Sequence, residues 1–284
     1  MIRILLISAL LISPIISHGQ VPQYKNIIVL LDLSNRIKPD KNPNQANKDQ
    51  QIIEGILESF ENRQRRFLFQ RSKDKLSIVV ANQKDSQVNV HQFDDDLSID
   101  MEQPDDARRM NKPVFDKERK AFEKALQKLY SDAIKSRTTG ADIWSYFRDN
   151  LNSNINSASE YQNYVIILTD GYMDLDKDLA KKRPSGTYMS YGEIHKLRNQ
   201  DNWQSIFENQ NMVLKPHAID YGNLNALVLE VVPKDPVVNI NELPIIKKFW
   251  GTWLEEMDID YQIYTSNDNV NATINITEEF IFNK

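Results

Sequence analysis

The sequence predicts an α/β protein with an open, mostly parallel β-sheet. Two unbroken apolar runs, residues 27–31 and 164–168, lead into turns that carry Asp32 and Asp170. Runs of this kind are typical of parallel strands that are buried on both faces. Helical patterns separate these runs along the chain, as expected for helices packed on a sheet. Because parallel strands end at the same edge of a sheet, we expect the two aspartates to meet there.

The other elements follow from the periodicity of apolar residues. Residues 46–66 place apolar side chains at helical spacing and predict a long amphipathic helix. The segments 75–81 and 87–93 are rich in β-branched residues and are close enough in sequence to form a hairpin. The acidic segment 94–113 is predicted to be a loop. The prediction comprises strands at 26–32, 75–81, 87–93, 164–170, 227–232 and 260–265, and helices at 46–66, 115–130, 141–151, 192–210 and 244–257.

The composition is that of an ordinary globular protein and excludes several functions. The chain has 284 residues, of which 40% are hydrophobic and 26% charged, and its formal net charge is -5. Its basic residues are scattered among acidic ones, so we expect no nucleic-acid partner. Only 8 glycines are present, and the sequence contains no glycine-rich motif of the kind that cradles nucleotide phosphates.

The first residues have the pattern of a secretory signal peptide. A basic start and an apolar centre are followed by small residues suited to cleavage, which predicts a signal peptide over residues 1–19 and a mature domain over 25–284. The alternative is a permanent membrane anchor, but the apolar run is short for a span. With no cysteine, the chain has no lipobox for acylation. We therefore expect a periplasmic or secreted protein with no stable membrane span after cleavage.

A metal site is predicted at the carboxyl edge of the sheet. Asp32 and Ser34 form an Asp-x-Ser sequence after the first strand, and Asp170 follows a second buried strand. Carboxylate and hydroxyl oxygens are hard ligands that suit Mg²⁺ or Ca²⁺. Taken singly, each residue is better explained as a turn or helix-capping residue. Their joint position at the ends of two buried strands favours a shared site.

The order of elements and these motifs resemble the von Willebrand factor A (vWA) domain, over roughly residues 25 to 265. The resemblance implies a doubly wound sheet with one antiparallel edge strand, which the predicted hairpin would supply. It also implies a metal-ion-dependent adhesion site in which Asp32, Ser34 and Asp170 are ligands, together with a threonine from a middle loop. Thr139 is the candidate for that threonine, although the best alignment places Ala141 there. The implied function is adhesion or binding of another protein, with the cation keeping a coordination position open for the partner's carboxylate.

Arg36 occupies the position at which the vWA turn has its second serine, and this substitution suggests an alternative. A guanidinium near two carboxylates can neutralise them without a cation. In that case Arg36 pairs with Asp32 or Asp170, and the domain is a metal-free interaction scaffold.

A third hypothesis is a metal-dependent hydrolase in which Asp32 and Asp170 hold the ion and water is the nucleophile. The sequence offers little support for catalysis. It has no cysteine, no Gly-x-Ser-x-Gly motif and only 4 widely separated histidines. We therefore expect a protein that is not an enzyme.

Residues 172–222 are predicted to be an insertion that starts beside the site, because they follow Asp170 directly. They include aromatic and methionine side chains that suit a contact surface, namely Tyr172, Met173, Tyr188, Met189 and Tyr191. The alternative is a surface loop that is merely docked on the domain. If the insertion selects the partner, its replacement by a short linker should leave the sheet folded and abolish partner binding.

Overall fold

The computed structural model describes residues 24–81, 87–102, 110–137, 140–175, 177–234 and 240–282, so the predicted signal peptide lies outside the described residues. The strands are β1 (Tyr24–Leu31), β2 (Lys75–Val80), β3 (Ser98–Asp100), β4 (Tyr161–Leu168), β5 (Leu224–Val231) and β6 (Asp260–Thr265). The helices are α1 (Gln45–Arg66), α2 (Lys112–Lys135), α3 (Ile143–Tyr146), α4 (Asn152–Asn154), α5 (Lys177–Lys182), α6 (Tyr191–Arg198), α7 (Trp203–Asn209), α8 (Glu242–Glu255) and α9 (Val270–Phe282).

The strands form one sheet in the order β3-β2-β1-β4-β5-β6. All neighbouring pairs are parallel except β2 and β3, which are antiparallel. The predicted α/β class and mostly parallel sheet with one antiparallel edge strand are thus confirmed. From β1 the chain continues toward one edge of the sheet, through β2 and β3, and from β4 it continues toward the opposite edge, through β5 and β6. The boundary between β1 and β4 is therefore the switch point at which open α/β sheets bind ligands.

Helices cover both faces of the sheet, as the apolar strands require. In β1, Ile27, Val29 and Leu31 face one hydrophobic cluster, whereas Ile28 and Leu30 face a second. The first cluster is completed by α1, α2 and α9, and the second by α3 and α6 to α8. Because each strand buries alternate residues on opposite faces, a continuous apolar sequence is needed to fill both layers.

The antiparallel edge strand is not the one that the sequence predicted. Residues 87–93 contain a 3-10 helix, Val90–Phe93, and β3 at Ser98–Asp100 pairs with β2 instead. The separation of three residues between the apolar side chains of Val90 and Phe93 suits a 3-10 turn. The sequence signal for β3 is the alternation of Leu97, Ile99 and Met101, which are all buried. The surrounding residues are acidic, and this composition led to the prediction of a loop. The predicted hairpin turn, residues 82–86, lies outside the described residues.

Other helices also differ from the prediction. Residues 192–210 form two helices, α6 and α7, rather than one. Residues 143–154 are helical throughout but change to a π-helix at Phe147–Leu151. The sequence reasoning missed α9, which packs against α1. None of the helices in the described ranges is both long and apolar enough to cross a membrane.

The segment 172–222 contributes three of its predicted contact side chains to the core. Tyr172, Met173 and Met189 are each at most 2% exposed and belong to the second hydrophobic cluster. A backbone hydrogen bond from Met173 N to Met189 O closes the segment's first loop at 2.9 Å. The structure therefore contradicts the contact role assigned to these three side chains, and we now expect that deletion of the segment would destabilise the sheet.

Candidate functional site

The structure brings Asp32 and the end of β4 together at the switch point. Asp32 N donates to Leu168 O at 3.0 Å, which extends the β1–β4 ladder by one residue. Thr169 Oγ1 then donates to Asp32 Oδ2 at 2.8 Å. These bonds place Asp170, the next residue, beside Asp32, and the negative charge of Asp32 acts directly on Asp170. The predicted meeting of the two aspartates at one edge is therefore observed.

Asp32 and Ser34 form the turn that carries the chain from β1 to α1. Ser34 N donates to Asp32 Oδ1 at 2.9 Å, and Ser34 Oγ accepts a long hydrogen bond of 3.4 Å from Arg36 N. Ser34 is the N-cap of a short 3-10 helix, Asn35–Ile37. Both side chains therefore have the turn role that each would have alone. Because the Ser34 bond is long, its hydroxyl oxygen retains capacity for another interaction.

Asp170 is a buried carboxylate whose negative charge is poorly compensated. Its Oδ1 accepts from Tyr172 N at 3.1 Å. No lysine or arginine in the described part of the chain forms an ion pair with it within 4.0 Å. Burial and the charge of Asp32 raise the pKa of Asp170 to about 7, against the opposing charges of Lys234 and Arg36. A cation at this position would remove that penalty.

Arg36 is held mainly by a residue that the sequence reasoning did not consider. Its Nη2 donates to Asp49 Oδ2 at 2.7 Å, and its Nε donates to the carbonyl oxygen of Asp32 at 3.0 Å. The Asp32 carboxylate is farther away, with Oδ2 at 3.9 Å from Nε. Burial opposes the charged guanidinium, but Asp49 and Asp32 outweigh it and raise the pKa of Arg36 above its usual value. The predicted pairing is therefore correct only in part, since Asp49 is the principal partner and Asp170 forms no ion pair with Arg36.

Asp49 lies in α1 and is fully buried. Besides Arg36, it accepts hydrogen bonds from Gln45 Nε2 at 2.8 Å and Tyr130 OH at 3.1 Å. Burial raises the pKa of Asp49, although the charge of Arg36 opposes the rise. The sequence contained a signal that Asp49 is buried. Gln45 and Asp49 lie on the same face of α1 as the buried residues Ile52 and Ile56 and extend that face toward the N-terminus of the helix.

Glu230, near the end of β5, is a second buried acid that the sequence reasoning missed. Its Oε2 atom contacts Lys48 Nζ at 2.6 Å, Ser266 Oγ at 2.8 Å and Gln45 Nε2 at 3.1 Å. The available signal was a glutamate within an otherwise apolar strand, since charged residues are rarely fully buried unless they are paired.

Lys234 lies beyond the end of β5, and its positive charge acts on Asp170. Its Nζ pairs with Asp174 Oδ2 at 2.8 Å and sits 4.3 Å from the centre of the Tyr172 ring. A cavity of about 470 Å³ opens beside these residues, and we call it the edge cavity. The edge cavity is lined by Asn35, Arg36, Lys41, Asn42, Gln45, Asp170, Glu230, Val232 and Lys234.

The middle loop provides less support for a metal site. Thr139, the predicted fourth ligand, lies outside the described residues, as does Thr138. Ala141 is buried in the second cluster, and Asp142 caps α3 by accepting from Ser145 N at 3.1 Å. Asp142 also pairs with Arg183, so its carboxylate is already occupied.

The donor set at the edge can nevertheless accept a hard cation. Within the described ranges, no cluster of three or more histidine, cysteine or acidic side chains is arranged to hold a metal. The available donors are two carboxylates, Asp32 and Asp170, and the hydroxyl of Ser34. Mg²⁺ commonly binds one or two protein carboxylates and completes its coordination with water. The residues present therefore fit a partly hydrated divalent ion and do not fit a closed, all-protein cage.

Comparisons with known proteins identify no family for this chain. No family model matches it, and it has no match among curated proteins. Two crystal structures of the pilus adhesin SpaC from Lactobacillus rhamnosus GG, one of them in an open conformation, are distantly similar. The identities are 13% and 14%, with TM-scores of 0.47 and 0.46, over 92% and 93% of this chain. The chain spans about 30% of the adhesin's length, and a likeness this distant carries no argument about function.

Proposed function

We propose that this protein is an exported, non-enzymatic protein-binding module of the vWA type that coordinates Mg²⁺ or Ca²⁺ through Asp32, Ser34 and Asp170. The observation that carries the proposal is the buried Asp170 carboxylate beside Asp32, with no ion pair in the described structure. The negative charge of Asp32 disfavours the ionisation of Asp170, and a divalent cation between the two carboxylates reverses that effect.

The architecture also supports the proposal. A mostly parallel sheet with one antiparallel edge strand is the architecture that the resemblance to a vWA domain implies. Asp32 and Asp170 follow the two central strands, where ligands of such sheets bind. When bound, the cation supplies an open coordination position for a carboxylate of the partner protein. The chain's own residues position the ligands, since Thr169 orients Asp32 and the backbone of Tyr172 orients Asp170.

The proposed location rests on the sequence of residues 1–19, which has the pattern of a cleavable secretory signal. An exported module without cysteines depends on its core rather than on disulfides. The partner is another protein, and the open edge of the sheet is the surface at which it would bind.

Cation binding is tested by thermal unfolding of the mature chain with EDTA, Mg²⁺ or Ca²⁺. An ion at a hundredfold excess over its Kd should stabilise the fold by about 2.7 kcal/mol. Asp170→Asn should abolish the response, whereas Asp94→Asn, an exposed carboxylate that pairs with His91, should retain it. If neither ion shifts the wild-type transition, or if the Asp170 variant responds normally, the metal proposal is wrong.

A metal-free scaffold remains the second candidate because buried Arg36 is bonded to the backbone of Asp32 and lies near its carboxylate. The variant Arg36→Ser does not distinguish the two candidates by stability, since either way it leaves Asp49 without its ion pair. Its cation affinity does distinguish them. Tighter binding of Mg²⁺ or Ca²⁺ by this variant supports the metal module, and no binding by either form supports the scaffold.

We do not assign catalysis, because the described histidines are engaged elsewhere. His91 pairs with Asp94, His217 contacts Trp144, and the His195 ring packs near Tyr191. A screen of phosphate and carboxylic ester substrates tests this part of the proposal. Metal-dependent turnover that is lost in Asp32→Asn would establish the hydrolase hypothesis instead.

A further inference from the structure

The edge cavity has acidic groups in its interior and lysines at its mouth. Asp170 and Glu230 contribute buried carboxylates, with the two residues 9% and 1% exposed. Lys41 and Lys234 also line the cavity, but both are exposed to solvent. Arg36 lines it too, with its charge already paired to Asp49. Because Lys48 pairs with Glu230, Asp170 supplies the unpaired negative charge inside the cavity, and the lysines supply positive charge at its mouth.

Glu230 has an incomplete set of hydrogen bonds. Its Oε2 atom is surrounded by three donors, whereas the buried Oε1 atom has no partner in the described structure. A buried carboxylate oxygen without a donor is destabilising, and such atoms in native proteins call for an explanation. A ligand that brings an N–H donor into the cavity would remove this cost.

The backbone at Glu230 is also strained in a way that affects the cavity. Its φ is 69°, in the left-handed region that non-glycine residues avoid, and the β5–β6 register shifts between Val228 and Val231. In a regular strand, Glu230 would share a face with Val228 and enter the apolar layer. Because of the bulge, Val231 occupies that face instead, and Glu230 is directed toward the carboxyl edge of the sheet. Strain of this kind is concentrated at ligand sites.

The two lysines at the mouth differ in whether their ammonium groups already have partners. Lys234 pairs with Asp174 and packs over Tyr172. Lys41 forms no side-chain hydrogen bond or ion pair in the described structure, so its ammonium group is available to an anion. A polycationic peptide would meet both lysines on entry and be repelled. A molecule with a cationic end and an anionic end complements both parts of the cavity.

We infer that the edge cavity binds a small zwitterion of the amino-acid class, with its ammonium group toward Glu230 and Asp170 and its carboxylate toward Lys41. A volume of about 470 Å³ is ample for a free amino acid. The inference does not require a divalent cation, because Glu230 and Lys41 are not among the proposed metal ligands. Asp170 belongs to both proposals, so a bound cation and the ammonium group would compete for it.

The test is calorimetric titration of the mature chain, in EDTA, with each of the common L-amino acids. The half-molecules n-propylamine and propionate serve as probes of the two charged ends. At least one amino acid should bind, and both half-molecules should bind at least tenfold more weakly. Glu230→Gln should weaken the amino acid at least tenfold. Glu61→Gln is the matched control and should bind normally, because this buried glutamate lies about 24 Å along α1 from Gln45, which lines the cavity.

Lys41→Met tests the same inference in a variant whose core is untouched, and it should bind the amino acid at least fivefold more weakly. The inference is overturned if no amino acid binds, since water alone then satisfies Glu230. It is also overturned if n-propylamine binds as tightly as the amino acids, or if Glu230→Gln and Lys41→Met bind normally. The stabilising effect of Mg²⁺ or Ca²⁺ should persist in Glu230→Gln, so the two proposals can fail independently.

Discussion

Replacement of Arg36 by methionine should destabilise the protein strongly, because it leaves Asp49 as a buried, unpaired carboxylate. The ion pair between Arg36 and Asp49 spans 2.7 Å, and the side chains are 3% and 0% exposed. Removing one member of a buried pair typically costs about 3–5 kcal/mol. Methionine retains much of the apolar stem, so the loss reflects charge rather than volume. The free energy of unfolding is measured by urea titration, followed by the fluorescence of the 4 tryptophans.

The cost should depend on pH in a defined direction. Burial already raises the pKa of Asp49, and Arg36 is the main opposing charge. Without Arg36 the folded-state pKa rises further above the unfolded value, so the native state favours the protonated acid. Stability is then lost as pH rises through the folded pKa, and the cost of Arg36→Met should be larger at pH 8 than at pH 5.

Two comparison variants make the prediction specific. Adding Asp49→Asn to Arg36→Met should recover about 1–2 kcal/mol, because the unpaired charge is gone. Arg65→Met removes an ion pair to Glu61 whose arginine is 56% exposed, and it should cost at most about 1 kcal/mol. The reasoning fails if Arg36→Met costs no more than Arg65→Met at pH 8, or if its cost does not change with pH.

Two further predictions concern regions away from the site. Burial, with help from the charge of Arg63, lowers the pKa of Lys25 to about 8. The unfolded state therefore binds more protons than the folded state between pH 8 and pH 10.5, and the free energy of unfolding should rise by at most about 3 kcal/mol over that range. Urea titrations should show this rise in the wild type but not in Lys25→Met. Gly55→Ala in α1 would place a Cβ 2.7 Å from the stiff side chain of Ile274, and the overpacking should outweigh the gain in helix propensity and lower the stability by about 1 kcal/mol. Gly192→Ala meets nothing closer than 3.4 Å and should be neutral or stabilising, so equal shifts in melting temperature for the two alanine variants would contradict this explanation.

Much of the fold could be predicted because its signals are local. The apolar runs at 27–31 and 164–168 identify strands buried on both faces, and α1 was located within one residue at its N-terminus. The edge strand β3 was missed since three residues carry little periodicity, particularly within an acidic segment. Helix α9 was missed because its position depends on tertiary packing. It covers α1 and part of the sheet, and the surface that it covers forms only when the sheet is assembled.

The candidate site divides in the same way. Asp32, Ser34 and Asp170 could be placed at one edge from sequence, since chain order and strand direction fix where parallel strands end. The partner of Arg36 could not, although Asp49 is only 13 positions away. That pairing depends on how α1 packs across the carboxyl edge, and several acids in the sequence were equally plausible partners.

The sequence by itself determined the α/β class, the central parallel strands and the delivery of two carboxylates to one edge, because these follow from local periodicity and chain direction. Only the tertiary structure decided how the buried charges are distributed. It paired Arg36 with Asp49, placed Lys48 against Glu230 across 182 positions of sequence (230 minus 48), and left Asp170 without an ion pair in the described structure. The physical reason is that the charge state of a buried group depends on desolvation and on neighbours within a few ångströms, and these neighbours come from distant parts of the chain.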